Sequence, residues 1–389
     1  MKPRALTATV VLTLAILLGG CDTVRRTYDD WFGAPVRAVK PTELSTFKPL
    51  VNVRIAWQGV VGPAGKTVLF PDVTGNAVWT AAANGQLAGF NAANGASVGR
   101  FSTNQPITSG VGASAGAVAV GTARGELLLF DWSGKLRWKV QVPGELLAPP
   151  LIDGNLVMVR VGDGAVHAYE VNGGKRRWIY QRSSPTLSVR SHGGMVAMRG
   201  SVYAGFPGGR LVALSELSGS VGWDSVVALP KGTTELERVA DITSPPVVDE
   251  GRVCAAAFQG RVACFDTARG NSIWARDISS FSGLGADARN VYVTDDKSAV
   301  TALDKTTGGS LWKQDKLSGR GLTRPLALSR YVIVGDYQGF VHLLSRDDGS
   351  FAGRIATDGS AIAAAPVALG LNSFVVQTRN GAVFAISAE

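Results

Sequence analysis

A unit of about forty residues returns eight times along this 389-residue chain, and that repetition restricts the fold more than any other feature. Each copy starts at a Gly and runs through a short alternating apolar strand that ends in Phe, Leu or Tyr. An acidic or polar residue follows, then a second Gly, and in most copies a Trp four residues beyond it. Gly125-Glu-Leu-Leu-Leu-Phe-Asp131, with Gly134 and Trp138, is a complete copy. The pattern recurs at Gly164 with Gly174 and Trp178, at Gly209 with Gly219 and Trp223, and at Gly260 with Gly270 and Trp274. Ser298 replaces the first Gly in the copy that keeps Gly308 and Trp312, and weaker copies at Gly85 and Gly339 hold Gly99 and Gly353 at the Trp position. The starting positions 85, 125, 164, 209, 260, 298, 339 and 381 are separated by 40, 39, 45, 51, 38, 41 and 42 residues. Eight copies at this period predict an all-β fold, an eight-bladed β-propeller of four-stranded blades. In the third copy, period-two alternation between Gly, Asn and Asp turns predicts strands at 148–153, 156–161, 165–171 and 176–181.

The last copy begins at Gly381 and lacks a Trp strand after it. Val53-Arg-Ile-Ala-Trp57 is a Trp strand with no hairpin before it, so it is expected to complete the last blade and close the ring. Regular recurrence of Trp assigns it to packing between blades, with the indole N–H finding a partner there.

Before the repeats, Lys2 and Arg4 precede an apolar run over residues 5–18 that is too short to span a bilayer comfortably and ends in Leu18-Gly19-Gly20-Cys21. This predicts a secretory signal over 1–20 and lipidation at Cys21, holding the protein at a membrane surface by acyl chains. Asp22, directly after it, resembles an inner-membrane retention signal of the enterobacterial sorting scheme. Residues 21–50 are polar, with Pro35, Pro41 and Pro49, and are assigned to a lipidated tether; 51–389 form the propeller.

The net charge of +9 comes without a Lys/Arg stripe interleaved with aromatics, which argues against nucleic acid as a partner. Of the three histidines, His167 and His342 occupy the same repeat position inside a strand, and neither they nor His192 make a ligand-spaced pair, so no metal is expected. No nucleophile elbow, P-loop or acid/base pair emerges, and neither a catalytic residue nor a cofactor is expected. Asp131, Asp266 and Asp304 share the strand-end position, where a carboxylate accepts turn amides. Cys254 and Cys264 flank a hairpin at Gln259-Gly260. A two-residue turn would set Cys254 against Phe265, leaving open a cross-strand disulfide or two buried thiols.

The two longest spacings, 45 and 51 residues, both gain their excess after the Trp strand, so the enlarged connections should rise from one face on neighbouring blades and meet. The first carries Pro185-Thr-Leu-Ser-Val-Arg190 and the second runs over 231–241, each mixing apolar residues with charge as a protein-binding patch does. Arg190 could equally pair with Asp241 and fix the loops' shape.

The strand, turn and Gly-x-x-x-Trp unit resembles the pyrroloquinoline-quinone-type propeller repeat. Quinoprotein dehydrogenases carry it, but with vicinal cysteines and a calcium site that have no match here. From the Cys21 region to the C-terminus the chain more closely resembles the BamB family, the propeller lipoproteins of the outer-membrane β-barrel assembly machinery. The most specific segments are Thr186-Leu-Ser-Val-Arg190 and Thr234-Glu-Leu-Glu-Arg-Val-Ala-Asp241-Ile-Thr-Ser-Pro-Pro246. The resemblance implies a non-catalytic scaffold, anchored at the periplasmic face of the outer membrane, that binds a periplasmic POTRA domain of BamA and assists unfolded outer-membrane proteins. Carried over by position, the contact residues are Leu187, Val189, Arg190 and Asp241; a further acidic family position holds Thr243 here. The alternatives are a quinone-dependent dehydrogenase and a periplasmic ligand-binding lipoprotein.

Overall fold

A computed structural model describes residues 40–162 and 164–389. The signal segment, Cys21 and Asp22 lie outside the described residues. Among the described residues there is no helix; eight four-stranded antiparallel sheets carry the fold. Seven blades use consecutive strands, over 72–102, 112–141, 151–180, 195–226, 247–276, 283–314 and 326–356. The short first strands of successive blades touch one another in order, and that of the eighth blade, Val367–Ala368, touches Asp72–Thr74 of the first. The circle is therefore closed. In the third blade the strands are Leu151–Asp153, Leu156–Arg160, Val166–Glu170 and Arg176–Tyr180, within the limits that alternation set.

The eighth blade is completed from the other end of the chain. Strand β1, Val53–Val60, pairs antiparallel with Ala382–Ala388, from Val53 opposite Ala388 to Val60 opposite Ala382. Its register slips by one residue between Ile55 and Trp57. The same one-residue bulge occurs in all seven other blades, immediately before the Trp position: between Trp138 and Leu136, Trp178 and Arg176, Trp223 and Val221, and so on to Gly353 and Phe351. A bulge re-aims the side chain that follows it. Because β1 carries the bulge too, it is a true fourth strand and not merely a strand laid along an edge.

What the bulge aims is the indole. The Nε1–H groups of Trp57, Trp138, Trp178, Trp223, Trp274 and Trp312 donate to Ala92 O, Val171 O, Glu216 O, Thr267 O, Lys305 O and Arg346 O of the next blade, at 2.8–2.9 Å. Each ring is buried and lies on the second Gly of that next blade's repeat. At Gly308 an added Cβ would stand 2.6 Å from the Trp274 ring, and its φ of +68° independently disfavours a side chain. The Trp and the turn Gly are thus two halves of one inter-blade joint.

Asp131, Asp266 and Asp304 each accept two backbone N–H groups of the turn that follows, at 2.7–3.0 Å. The hairpin before Cys264 corrects the two-residue expectation. Its loop is Phe258-Gln259-Gly260, closed by the Ala257 N–H donating to Arg261 O at 3.0 Å, which moves the register by one. Cys254 therefore faces Cys264, 4.0 Å apart at Cα, and the two form a disulfide.

The end of the segment that composition assigned to a tether lies against the propeller. Leu44 and Phe47 pack against the cluster containing Trp312 and Phe351, Phe47 stacking on Phe351 at 5.3 Å, while the Thr42 N–H donates to Ser318 O at 3.0 Å. Polar neighbours masked two apolar residues whose partial burial holds residues 42–47 against the propeller. Under them, Arg354 holds Ser45 O with Nη1 and donates through Nε to His342 Nδ1, both at 3.1 Å. His342 must then donate from Nε2 to the buried Asp336, 3.0 Å away, as a neutral ring. Burial, together with the Arg354 and Arg320 cations, holds His342 below its ordinary value of 6.5 against the pull of Asp336. Burial would raise Asp336, but His342, the Phe340 amide and Arg320 bring its carboxyl below the usual range.

Candidate functional site

The two enlarged connections, 181–194 and 227–246, join the third blade to the fourth and the fourth to the fifth. They meet, as their positions in the repeat required, and Asp241 is the joint. Its carboxylate accepts the Val189 N–H at 2.6 Å through Oδ2 and the Gly208 N–H at 2.9 Å through Oδ1, while its own carbonyl accepts the Phe258 N–H at 2.8 Å. One side chain thus fastens the first loop, a hairpin of the fourth blade and the second loop's base to the fifth blade. Asp241 is only 2% exposed, so it lies beneath the surface that the loops present.

Arg190 does not pair with Asp241, which is already occupied. It instead forms a two-pronged ion pair with Glu145, Nη2 to Oε1 at 2.6 Å and Nε to Oε2 at 3.1 Å, and its side chain remains 59% exposed. Both guanidinium contacts come from one edge, through Nε and Nη2. Leu187 is 43% exposed beside it and Val189 is half-buried. Thr243, at the position that departs from the family's acid, is buried and donates to Phe281 O at 2.7 Å.

The second loop is shaped by its own polar residues. Glu237 Oε2 accepts the Thr233 and Thr234 N–H groups at 2.9 and 3.1 Å, and Thr234 Oγ1 accepts the Glu237 N–H at 3.2 Å, the reciprocal pattern of a capping box. Those amide bonds hold the Glu237 carboxyl below its ordinary value. Gln259, its amide oriented to suit the carbonyls around it, donates to Leu236 O and Val239 O at 3.1 Å. The result presents Leu229 and Leu236 at 66% and 72% exposure. Sequence reading placed Leu236 within its segment but missed Leu229 and Glu145; the capping-box spacing Thr234-x-x-Glu237 was a usable sign for the loop, whereas nothing in sequence ties Glu145 to Arg190.

An eight-bladed ring joined by Gly-x-x-x-Trp units defines a propeller of the pyrroloquinoline-quinone-type repeat class. Among its described residues, no three His, Cys, Asp or Glu side chains gather as a metal-ligand set. A family profile described as outer membrane protein assembly factor BamB matches residues 83–314 and 297–389. The outer membrane protein assembly factor BamB of Burkholderia pseudomallei is 43% identical over 345 residues, covering 88% of this chain and 90% of that one. The crystal structure of BamB from Moraxella catarrhalis superposes with a TM-score of 0.78 at 27% identity, over 86% of this chain and all of that one. The chain belongs to the BamB family. A quinohemoprotein alcohol dehydrogenase from Pseudomonas putida HK5 superposes at 0.69 with 13% identity, over 86% of this chain and 76% of that one, a likeness of fold alone. The family's members are assembly factors rather than enzymes.

Proposed function

We propose that this protein is a non-catalytic scaffold of outer-membrane protein assembly that docks on a POTRA domain of BamA through the loops at 181–194 and 227–246. Membership of the BamB family supports the role in outer-membrane protein assembly and an outer-membrane association. The observation that carries the docking surface is the Asp241 clamp, which holds Leu187 and Arg190 of one loop exposed in a fixed relation to the other. An exposed arginine set among apolar side chains is the composition of an interface anchor. In this reading Leu187, Val189 and Arg190 face the partner, and Asp241 acts by positioning them. Cys21 supplies the lipid anchor at the periplasmic face, and the rigid ring holds the docked partner near unfolded client proteins.

The test is co-purification with BamA from membranes. Arg190→Glu should abolish recovery while the protein stays folded, since loss of an exposed ion pair costs under about 1 kcal/mol. The double change Arg190→Glu with Glu145→Arg rebuilds the ion pair with its sense reversed. If it restores recovery, Arg190 only shapes the loop and the contact assignment is wrong; continued loss supports a direct contact.

A further inference from the structure

The hairpin between the second and third strands of every blade has a three-residue tip. In seven blades the last tip residue, where the repeat starts, takes a left-handed backbone: Gly85, Gly125, Gly164, Gly209, Ser298, Gly339 and Gly381 hold φ values from +68° to +95°. The fifth blade departs from this rule. Gly260 lies outside the left-handed region, and Gln259, one position earlier, enters it with φ +50°. That conformation suits glycine and crowds the Cβ of any other residue. Moving it from a glycine onto a glutamine is therefore not a choice made by local backbone preference.

What lies against this tip is the second enlarged loop, and the tip touches it at three places. At the loop's start, a Cβ added to Gly260 would stand 2.6 Å from Ala228 Cβ. At its end, the Phe258 N–H donates to Asp241 O at 2.8 Å. Between them the Gln259 amide reaches three carbonyls, Leu236 O and Val239 O at 3.1 Å and Glu237 O at 3.3 Å. The hairpin is itself well fixed, since the Cys254–Cys264 disulfide ties its two strands and the Gln259 N–H donates to Ser279 Oγ at 2.7 Å. The loop's middle is not: residues 231–238 are all exposed, so apolar burial does not order them. They form a helical turn, with the Arg238 N–H donating to Thr234 O at 3.1 Å, whose first amides are capped by Glu237. The carbonyls at the far end of such a turn need a donor from elsewhere, and Gln259 supplies it.

We propose that Gln259 is a positioning residue of the second loop: the fifth blade takes its left-handed step one residue early so that this side chain gathers the loop's carbonyls and presents Leu236 to the partner. Leu236 is 72% exposed on a turn whose polar groups are satisfied at both ends. An apolar side chain on an already ordered turn loses less freedom on binding than one on a loose loop. The role toward a partner rests on the docking reading above; the ordering of the loop does not.

Three substitutions in the purified full-length protein test this, each read by tryptic cleavage after Arg238, by urea unfolding and by co-purification with BamA from membranes. Gln259→Gly suits the left-handed backbone and removes the amide, Gln259→Glu keeps the length without a donor, and Gln259→Lys restores donors. Cleavage should quicken roughly two- to tenfold in the Gly and Glu proteins, the equivalent of one neutral hydrogen bond, because proteolysis follows the opened population. BamA recovery should fall in both, while the urea midpoint of Gln259→Gly stays level or rises. Gln259→Lys should return cleavage and recovery toward the parent. Unchanged cleavage in both variants, or a lowered midpoint in Gln259→Gly, would overturn the proposal, and lost recovery with unchanged cleavage would make Gln259 a direct contact instead. Faster cleavage with full recovery would also overturn it by separating loop order from docking; the docking reading falls only if Arg190→Glu retains BamA as well.

Discussion

Changing Asp241 to Asn separates a residue that shapes the loops from one that touches a partner. The Asn side chain keeps the size of Asp but replaces one acceptor oxygen by an NH₂ group. Asp241 uses both oxygens, on the Val189 and Gly208 N–H groups, so one amide must meet a donor whichever way the Asn turns. Two charge-assisted bonds at about 1.5–3 kcal/mol each become one neutral bond of about 0.5–1.5 kcal/mol and one unsatisfied N–H. Allowing the loops to relax toward water, the loss is roughly 2–4 kcal/mol. That loss falls on the loops, since none of the inter-blade Trp joints involves Asp241. Hydrogen exchange followed by mass spectrometry should show protection of the amides at 189 and 208 falling roughly thirty- to several-hundredfold, with blade strands unchanged. BamA recovery should fall with it, although Asp241 is buried. Unchanged exchange at both amides would refute the clamp, and unchanged exchange with lost recovery would make Asp241 a direct contact.

Gly308→Ala should cost about 2–5 kcal/mol, combining a left-handed φ with overpacking against Trp274; a urea midpoint equal to that of the parent would show the joint to be loose. The neutral His342 makes stability depend on pH. Its folded-state value lies below 6.5, so the unfolded chain binds more protons below that pH. The contribution is intact above pH 6.5 and is lost as pH falls through the depressed value. His342→Gln keeps an N–H for Asp336 and does not titrate, so the drop in urea midpoint between pH 7 and 5 should shrink; an identical slope would assign it to other groups.

The propeller was legible because its strongest signals are local and repeated. Seven Gly and Ser298 at the repeat starts count the blades, and Trp57 without a hairpin reveals how the ring closes. The bulge before each Trp was not legible, because it is a property of pairing and residues as different as Arg137, Gly222 and Ala352 occupy it. The cysteine register failed for a related reason: Gln259-Gly260 looks like a two-residue turn, yet Phe258 also belongs to the loop. At the two enlarged loops, spacing located both segments and even their contact. It could not say that Asp241 points inward while Arg190 reaches Glu145, since that choice is made by backbone amides brought in from Gly208 and by a residue 45 positions away.

The joining of Val53–Val60 to Ala382–Ala388 also sets an order of events. During synthesis β1 is made first and its partner last, so the strand must wait for more than 300 residues before it can pair. Seven blades can assemble by short-range hairpins while the eighth stays unfinished, and the final closure bears the entropic cost of a contact spanning almost the whole propeller. A chain stopped short of Ala382 would leave two open edges, one on each side of the gap, each able to take a strand from another molecule.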